Sequence, residues 1–253
     1  MKKKNSVLIS NKIGEFNKTI SVESDKSISH RSLLIASQCI GVSNINNILE
    51  SEDVKNTIIC LKKLGVKIIK KNKKYIVYGN GLGSFKKPKN NFLYAGNSGT
   101  LARMIFALLG TQSNLKVKIS GDNSLNKRDM KRIIDPLTKI GCNFYPKNKT
   151  TLPLTIEGTS MPLAQKHFEK IGSAQVKSAI LLAALNTPGI TRIEVEKISR
   201  DHTENLLSKI KADINIKKKK KGHLISLQGQ KNLFGFNLKI PGDPSSAAPF
   251  IIL

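Results

Sequence analysis

The sequence predicts an α/β (α+β) fold built from a repeated β-α-β-α-β-β unit, with the copies packed around a pseudo-threefold axis. Segments of helical and strand period alternate in the same order three times along the 253 residues. Basic residues in the first helices recur at spacings of 72 and 74 residues, at Arg31, Arg103 and Lys177. Leucines in the second helices recur at spacings of 76 and 70 residues, at Leu61, Leu137 and Leu207. Repetition at this period indicates supersecondary units that bury their faces against one another.

The first unit follows two short apolar segments, over 7–9 and 19–22, that we predict to be strands. Its own elements are predicted as a helix reaching through 32–36, a strand over 42–48, a second helix capped by Ser51, and a hairpin of 66–69 with 75–78. Lysines surround the tip of that hairpin, where they keep the loop solvated and discourage pairing between sheet edges.

The later units repeat this order. In the second, the predicted elements are a helix within 94–110, a strand over 116–119, a helix over 129–140, and a hairpin of 142–145 with 152–156. In the third they are a helix over 178–185, a strand over 190–195, a helix over 201–210, and a hairpin of 214–216 with 224–227. A fourth pass begins at 238 and runs into a helix that includes 251–253.

Composition limits the classes of function. The net charge of +26 fits a protein that binds nucleic acid, but the excess is almost entirely lysine, and no recognisable module or aromatic platform accompanies it. The run of five lysines at 217–221 falls at a predicted hairpin tip. Cys39, Cys60 and Cys142 lie in apolar segments without metal or disulfide spacing, so we expect buried free thiols. We find neither a signal peptide nor an apolar run of membrane-spanning length, and therefore expect a cytoplasmic protein.

The starts of the predicted helices carry the chemistry. Each exposes backbone N–H groups and the positive end of a helix dipole, which favour an anion. Four of the six arginines lie at or near such starts: Arg31, Arg103, Arg128 and Arg200. Arginine forks suit phosphate and carboxylate groups. The sequence therefore predicts a small ligand with several anionic groups, bound where the helix starts of the repeats meet.

Six motifs, in order along the chain, resemble those of the 5-enolpyruvylshikimate-3-phosphate synthase family. They are SDKSISHR at 24–31, GNSGTLAR at 96–103, GDNSLNKR at 121–128, SAQVKSA at 173–179, SRDHTE at 199–204 and PGDPSSAA at 241–248. The resemblance implies the enolpyruvyl transferase fold, with shikimate 3-phosphate and phosphoenolpyruvate bound between two domains. It also implies transfer of the carboxyvinyl group to the shikimate 5-hydroxyl, without metal or cofactor, in a cytoplasmic monomer of the shikimate pathway.

The resemblance assigns roles position by position. Lys26 would contact both substrates and be catalytic. The predicted contacts of shikimate 3-phosphate are Lys26, Ser27, Arg31, Ser173, Ala174, Gln175, Ser199 and Arg200. Those of phosphoenolpyruvate are Lys26, Asn97, Gly99, Arg103, Arg128 and Gln175.

The chain departs from the family pattern in two ways. Asp129 stands where the family usually has proline, and a carboxylate there could weaken the pull of Arg128 on phosphoenolpyruvate. The sequence also resembles only about three fifths of a family member. We expect the first strands of one domain in 1–20, a complete three-repeat domain in 21–240, and a return to the first domain in 241–253. The acid–base residues would then lie outside this chain, which we expect to be inactive alone.

Three alternatives remain. A UDP-N-acetylglucosamine enolpyruvyl transferase is disfavoured, because Lys26 is followed by Ser27 rather than by asparagine and no cysteine lies in a polar loop. A half-site that binds shikimate 3-phosphate without turnover fits the incomplete resemblance. A basic nucleic-acid-binding protein fits the net charge.

Overall fold

The computed structural model describes residues 19–252, so the predicted strand over 7–9 lies outside the described part. The first unit contains α1 (Lys26–Ser37), β1 (Ile40–Asn46), α2 (Glu52–Lys63), β2 (Lys67–Lys71) and β3 (Lys74–Asn80). The second contains β4 (Phe92–Tyr94), α3 (Gly99–Gly110), β5 (Lys116–Ser120), α4 (Lys131–Ile140), β6 (Asn143–Tyr145) and β7 (Leu154–Glu157). The third contains β8 (Lys166–Glu169), α5 (Ala174–Leu185), β9 (Ile190–Val195), α6 (His202–Lys209), β10 (Ile214–Lys218) and β11 (His223–Gln228). Finally come β12 (Asn237–Lys239) and α7 (Pro244–Ile252).

The strands form three four-stranded sheets of identical topology. Their orders are β12-β1-β3-β2, β4-β5-β7-β6 and β8-β9-β11-β10. In each sheet the first pair is parallel and the other two pairs are antiparallel. This shared order confirms the predicted repeat.

The first sheet obtains its first strand from the far end of the described chain. β12 lies parallel to β1, with Asn44 opposite Asn237 and Asn46 opposite Lys239. In the other two sheets, β4 and β8 occupy the equivalent place and are the first elements of their own units in sequence. Residues near 240 therefore close the first unit, and the three sheets are equivalent.

The predicted strand over 19–22 is wrong, because these residues form no sheet ladder within the described chain. The neighbouring segment pairs instead with the one that follows β12. Ser24 forms an antiparallel bridge with Gly242, Asp25 N donates to Pro241 O at 2.9 Å, and Asp243 N donates to Glu23 O at 2.8 Å. The segments on either side of the three-unit body thus run side by side.

The first helices of the units form the centre of the core. α1 is buried over 29–37, α5 is buried over 177–185, and all but two residues of α3 are buried. Because α3 is apolar on nearly every side, it can lie between other elements. The second helices bury one face each, and the aligned leucines Leu61, Leu137 and Leu207 are all fully buried.

Other features agree with the sequence. The three cysteines are free and buried, and burial raises the pKa of each thiol to about 12. The lysine-rich segments lie at the tips of the β2–β3 and β10–β11 hairpins. Lys219 forms an ion pair with Glu194 at 2.7 Å. No helix between residues 19 and 252 combines the length and the hydropathy that a bilayer crossing requires.

Candidate active site

The central helices begin with three similar polar caps. Asp25 Oδ1 accepts from Ile28 N at 2.7 Å before α1. Ser98 Oγ accepts from Leu101 N at 3.2 Å before α3, and Ser173 Oγ accepts from Val176 N at 3.4 Å before α5. Short side chains with an oxygen acceptor are preferred at this position because they satisfy an N–H group of the first turn. The remaining N–H groups and the helix dipole still favour an anion in front of each helix.

The regular spacing of the basic residues in these helices suggests that they occupy equivalent positions. The structure corrects this expectation, because each lies at a different position within its helix. Arg31 is the sixth residue of α1, Arg103 the fifth of α3 and Lys177 the fourth of α5. Lys177 is buried and pairs with Glu204 of α6, with 2.6 Å between Nζ and Oε1. Glu204 therefore balances the charge of Lys177 inside the protein, and Lys177 is not available to bind an anionic ligand.

Two arginines lie beside Gly99 at the start of α3. A Cβ atom at this glycine would be 2.7 Å from Arg103 Nη1 and 3.3 Å from Arg128 Nη1. Arg128 Nη2 donates to Asn97 Oδ1 at 2.8 Å, and Asn97 Nδ2 donates to Asp122 Oδ2 at 2.6 Å. The site predicted for phosphoenolpyruvate thus comes together as one cluster of Asn97, Gly99, Arg103 and Arg128.

Gln175 joins this cluster to the start of α5. Arg103 Nη1 donates to Gln175 Oε1 at 2.8 Å, and Gln175 Nε2 donates to Thr100 Oγ1 at 3.0 Å. Burial lowers the pKa of the half-buried Arg103, and the nearby guanidinium groups of Arg128 and Arg132 lower it further. The clustering of positive charge is itself unfavourable, and an anion placed here would relieve it.

The residues predicted to hold shikimate 3-phosphate from the third unit line one open depression of about 540 Å³. Its lining consists of Arg132, Ile171, Gly172, Ser173, Ala174, Gln175, Ser199 and Arg200. Arg200 is exposed, and Nη2 lies 3.5 Å from Ser245 Oγ. Because Gln175 also contacts Arg103, the depression adjoins the Gly99 cluster.

The three site residues of α1 have different surroundings. Lys26 is half-exposed and its Nζ lies 3.1 Å from Asp53 Oδ2, whereas Ser27 is partly buried. Arg31 is only 3% exposed, and its guanidinium donates to Ser27 O, Thr203 Oγ1 and Ser178 Oγ. Burial lowers the pKa of Arg31 to about 10, which leaves it charged at neutral pH. Two of its five N–H groups thus connect α1 to α5 and α6, one bonds within α1, and two remain for a ligand.

Asp129 is oriented toward α4. Its Oδ1 accepts from Lys131 N at 3.0 Å, and this bond and one to Thr150 lower the pKa of the carboxyl group. The helix consequently begins at Lys131, two residues later than predicted.

Sequence reasoning missed two side chains of this site. Arg132 is the second residue of α4, so its place at a helix start could have included it with the other arginines. Asp53, in the first turn of α2, contacts Lys26 across 27 residues of sequence, and no local pattern announces that pair. Within the described residues 19–252, no group of three or more His, Cys, Asp or Glu side chains could hold a metal ion.

Comparison with known proteins identifies the fold and its relatives. A sequence profile described as EPSP synthase (3-phosphoshikimate 1-carboxyvinyltransferase) matches residues 10–253. The chain belongs to the EPSP synthase family. Among its relatives in that family, the 3-phosphoshikimate 1-carboxyvinyltransferase of Bartonella tribocorum is 43% identical over 237 residues, and that of Acidiphilium cryptum is 40% identical over 231 residues.

A solved EPSP synthase structure from Acinetobacter baumannii superposes with a TM-score of 0.83 at 36% identity. The match covers 92% of this chain and 52% of that chain. The two bacterial relatives are likewise matched over 52% of their length. The chain thus spans about half the length of the EPSP synthases that it matches.

Proposed function

We propose that this chain forms one half of an enzyme that transfers the carboxyvinyl group of phosphoenolpyruvate to the 5-hydroxyl of shikimate 3-phosphate, releasing phosphate. The proposal rests on membership of the EPSP synthase family and on the polar surface formed by the helix starts. The complete enzyme would act as a cytoplasmic monomer in the synthesis of chorismate and aromatic amino acids.

One observation carries the proposal. Arg103 and Arg128 are held by the amide oxygens of Gln175 and Asn97, and within residues 19–252 neither forms an ion pair with a carboxylate. Their orientation is therefore fixed, while the carboxylates that act on them, Asp129 on Arg103 and Asp122 on Arg128, lie beyond ion-pair distance. Lys26 and Lys177, in contrast, are paired with acids. Fixed and uncompensated guanidinium groups suit a ligand that brings its own carboxylate and phosphate.

The arrangement supports separate binding positions for the two substrates. We place the phosphate of shikimate 3-phosphate in the depression, near Ser173, Ser199 and Arg200, and phosphoenolpyruvate beside Gly99. Lys26 would lie between them. As the 5-hydroxyl gives up its proton and its oxygen adds to the phosphate-bearing vinyl carbon, the methylene carbon takes a proton and a tetrahedral intermediate forms. The intermediate then loses phosphate together with a proton from the new methyl group, which restores the double bond. Oriented basic groups would stabilise the charge that develops in these steps.

The proton transfers need acid and base groups within hydrogen-bond reach of the reacting atoms. In the proposed enzyme these come from the half of the family's length that this chain does not span. A mixture of this chain with both substrates should accordingly release no phosphate. Steady release of phosphate would refute the half-enzyme proposal, because the described residues would then suffice for turnover.

Binding of shikimate 3-phosphate tests the proposed site directly. Calorimetric titration should detect binding to the wild-type chain, and Arg200→Ala should weaken it about tenfold, because a hydrogen bond to a charged group contributes about 1.5–3 kcal/mol. Arg192→Ala, on the exposed face of β9, removes the same charge at a position outside the site. Arg31→Ala is less informative, because Arg31 also holds three helices together.

Two results would contradict the assignment. If the folded wild-type chain gives no heat of binding when it is titrated with shikimate 3-phosphate, the assignment of a shikimate 3-phosphate site is refuted. Equal losses in Arg200→Ala and Arg192→Ala would show that the net charge of +26 attracts the ligand without a defined site. That second outcome would favour a general binder of polyanions such as nucleic acid.

A further inference from the structure

A cavity of about 90 Å³ adjoins the phosphate-side depression. It is lined by Lys177, Val195, Ile198, Ser199, Asp201, Glu204, Ile216, His223 and Ile225. Ser199 is the residue that the linings of the cavity and the depression share. Whatever orients the Ser199 hydroxyl from the cavity side therefore acts on the surface proposed to hold phosphate.

Two oxygen atoms of this cavity lack hydrogen-bond partners among the described residues. They are Ser199 Oγ and Glu204 Oε2, and both atoms are buried. Glu204 is 2% exposed, and its other oxygen, Oε1, accepts from Lys177 Nζ at 2.6 Å. A buried carboxylate oxygen without a donor carries a large desolvation cost, so such atoms in native proteins are normally satisfied.

We propose that this cavity holds ordered water that links Glu204 Oε2 to Ser199 Oγ, and that the Lys177–Glu204 pair thereby positions the Ser199 hydroxyl for the phosphate of shikimate 3-phosphate. This role rests on the proposed function. A water molecule needs about 10–15 Å³ of such volume and two to four polar partners. The site offers a carboxylate acceptor, a hydroxyl group, and the two ammonium N–H groups of Lys177 that Glu204 does not occupy.

The ion pair is suited to this task because its charges are balanced locally. The Glu204 carboxylate also opposes the desolvation of Arg31 and favours its charged form. Water that donates to Glu204 Oε2 can accept from the Ser199 hydroxyl or from Lys177. When the same water uses its second hydrogen to donate to Ser199 Oγ, the hydroxyl proton of Ser199 is free to point at a phosphate oxygen in the depression. Lys177 and Glu204 thus act through Ser199 and are positioning residues.

Substitution of the whole pair tests the role without leaving Lys177 or Glu204 unpaired, and Asp25 still favours the charged form of Arg31. The double variant Lys177→Met/Glu204→Leu replaces the pair by apolar side chains of similar volume, a change that is often neutral or stabilising. We expect an unchanged or higher melting temperature and a five- to tenfold weaker affinity for shikimate 3-phosphate, roughly the value of one hydrogen bond. In a Ser199→Ala background the same pair of substitutions should have no further effect.

The double-mutant cycle separates positioning from general structure. Equal losses with Ser199 present and in the Ser199→Ala background, or no loss at all in either, would overturn the proposal. A high-resolution crystal structure of the wild-type chain gives a second readout that needs no substrate. Water within hydrogen-bond distance of both Glu204 Oε2 and Ser199 Oγ supports the proposal, and a dry cavity refutes it. If the wild-type chain fails to bind shikimate 3-phosphate, the proposed function fails, while the crystal structure still decides whether the water link exists.

Discussion

Gly99→Ala should separate ligand affinity from folding stability. The added Cβ would lie 2.7 Å from Arg103 Nη1, whereas ordinary contacts begin near 3.4 Å, so the guanidinium must retreat by about 0.7 Å. Both groups that the methyl would meet are the ends of flexible side chains. The fold can accommodate such a shift easily, and alanine favours helix over glycine by up to about 1 kcal/mol. We therefore expect an unchanged or slightly higher melting temperature.

The ligand should be affected much more than the fold. A displaced Arg103 loses the geometry of its 2.8 Å bond to Gln175 and its position beside Arg128. Losing one hydrogen bond to a charged group, about 1.5–3 kcal/mol, corresponds to about 10- to 150-fold weaker affinity for phosphoenolpyruvate. NMR titration of the chain, followed at the arginine Nε–H signals, can measure such weak complexes and shows directly whether Arg103 has moved.

Gly110→Ala provides the matched control because it makes the same change at the other end of α3. Its Cβ would lie 2.5 Å from Cys142 Sγ and 3.1 Å from Ile156 Cδ1, in the core. Such overpacking costs about 1–3 kcal/mol of stability and should leave phosphoenolpyruvate affinity unchanged in the folded fraction. The reasoning is refuted if Gly99→Ala lowers the melting temperature as Gly110→Ala does, or if it leaves both the Arg103 signal and the affinity of the wild type intact.

Two further predictions follow from the charges of the described residues. Gln175→Glu should weaken phosphoenolpyruvate binding about tenfold in the same NMR titration, because a carboxylate would neutralise Arg103, and stronger binding would contradict the role given to the amide. Burial lowers the pKa of His167 to about 4 and that of His30 to about 3. Because each native pKa lies below the unfolded value near 6.5, the unfolded state binds more protons, and stability that is complete above that pH is lost as the pH falls toward 4. His167→Gln should remove about 3 kcal/mol of this acid-dependent loss, measured by urea unfolding between pH 7 and 4, and an identical pH profile would refute the effect.

The repeat explains how much of the fold the sequence could predict. Spacings between helices and strands recur, so the order of elements and the buried leucines Leu61, Leu137 and Leu207 could be inferred from period alone. β4 and β8 were not predicted, because each is a short strand outside a hairpin, whereas the equally short β6 is indicated by its hairpin partner β7. Asn90 and Asn91, just before β4, also adopt positive φ angles and interrupt any local pattern.

The site was predictable where its residues share one helix start. Ser173, Ala174 and Gln175 are consecutive, so any fold that forms α5 keeps them together. The partners of Arg31 could not be predicted, because Ser178 and Thr203 lie 147 and 172 residues away in sequence. The same holds for Lys177, whose partner Glu204 is on another helix. Contacts of this kind depend on how units pack, and a motif does not encode them.

The three basic residues of the central helices have different environments, although the three sheets share one topology. Three identical helix starts would offer three equal anion sites. At a site without a ligand, the basic residue would be buried or crowded by other charges, and neighbouring groups would have to compensate its charge. In the first unit, Arg31 is buried and connects helices. In the third, Lys177 is neutralised by Glu204. At the start of α3, Arg103 donates to the amide of Gln175 and forms no ion pair among the described residues, so its positive charge stays available. The repeat thus supplies the scaffold, and the loss of equivalence among its copies leaves Arg103 as the one of these three basic residues that is neither buried nor paired with an acid among the described residues.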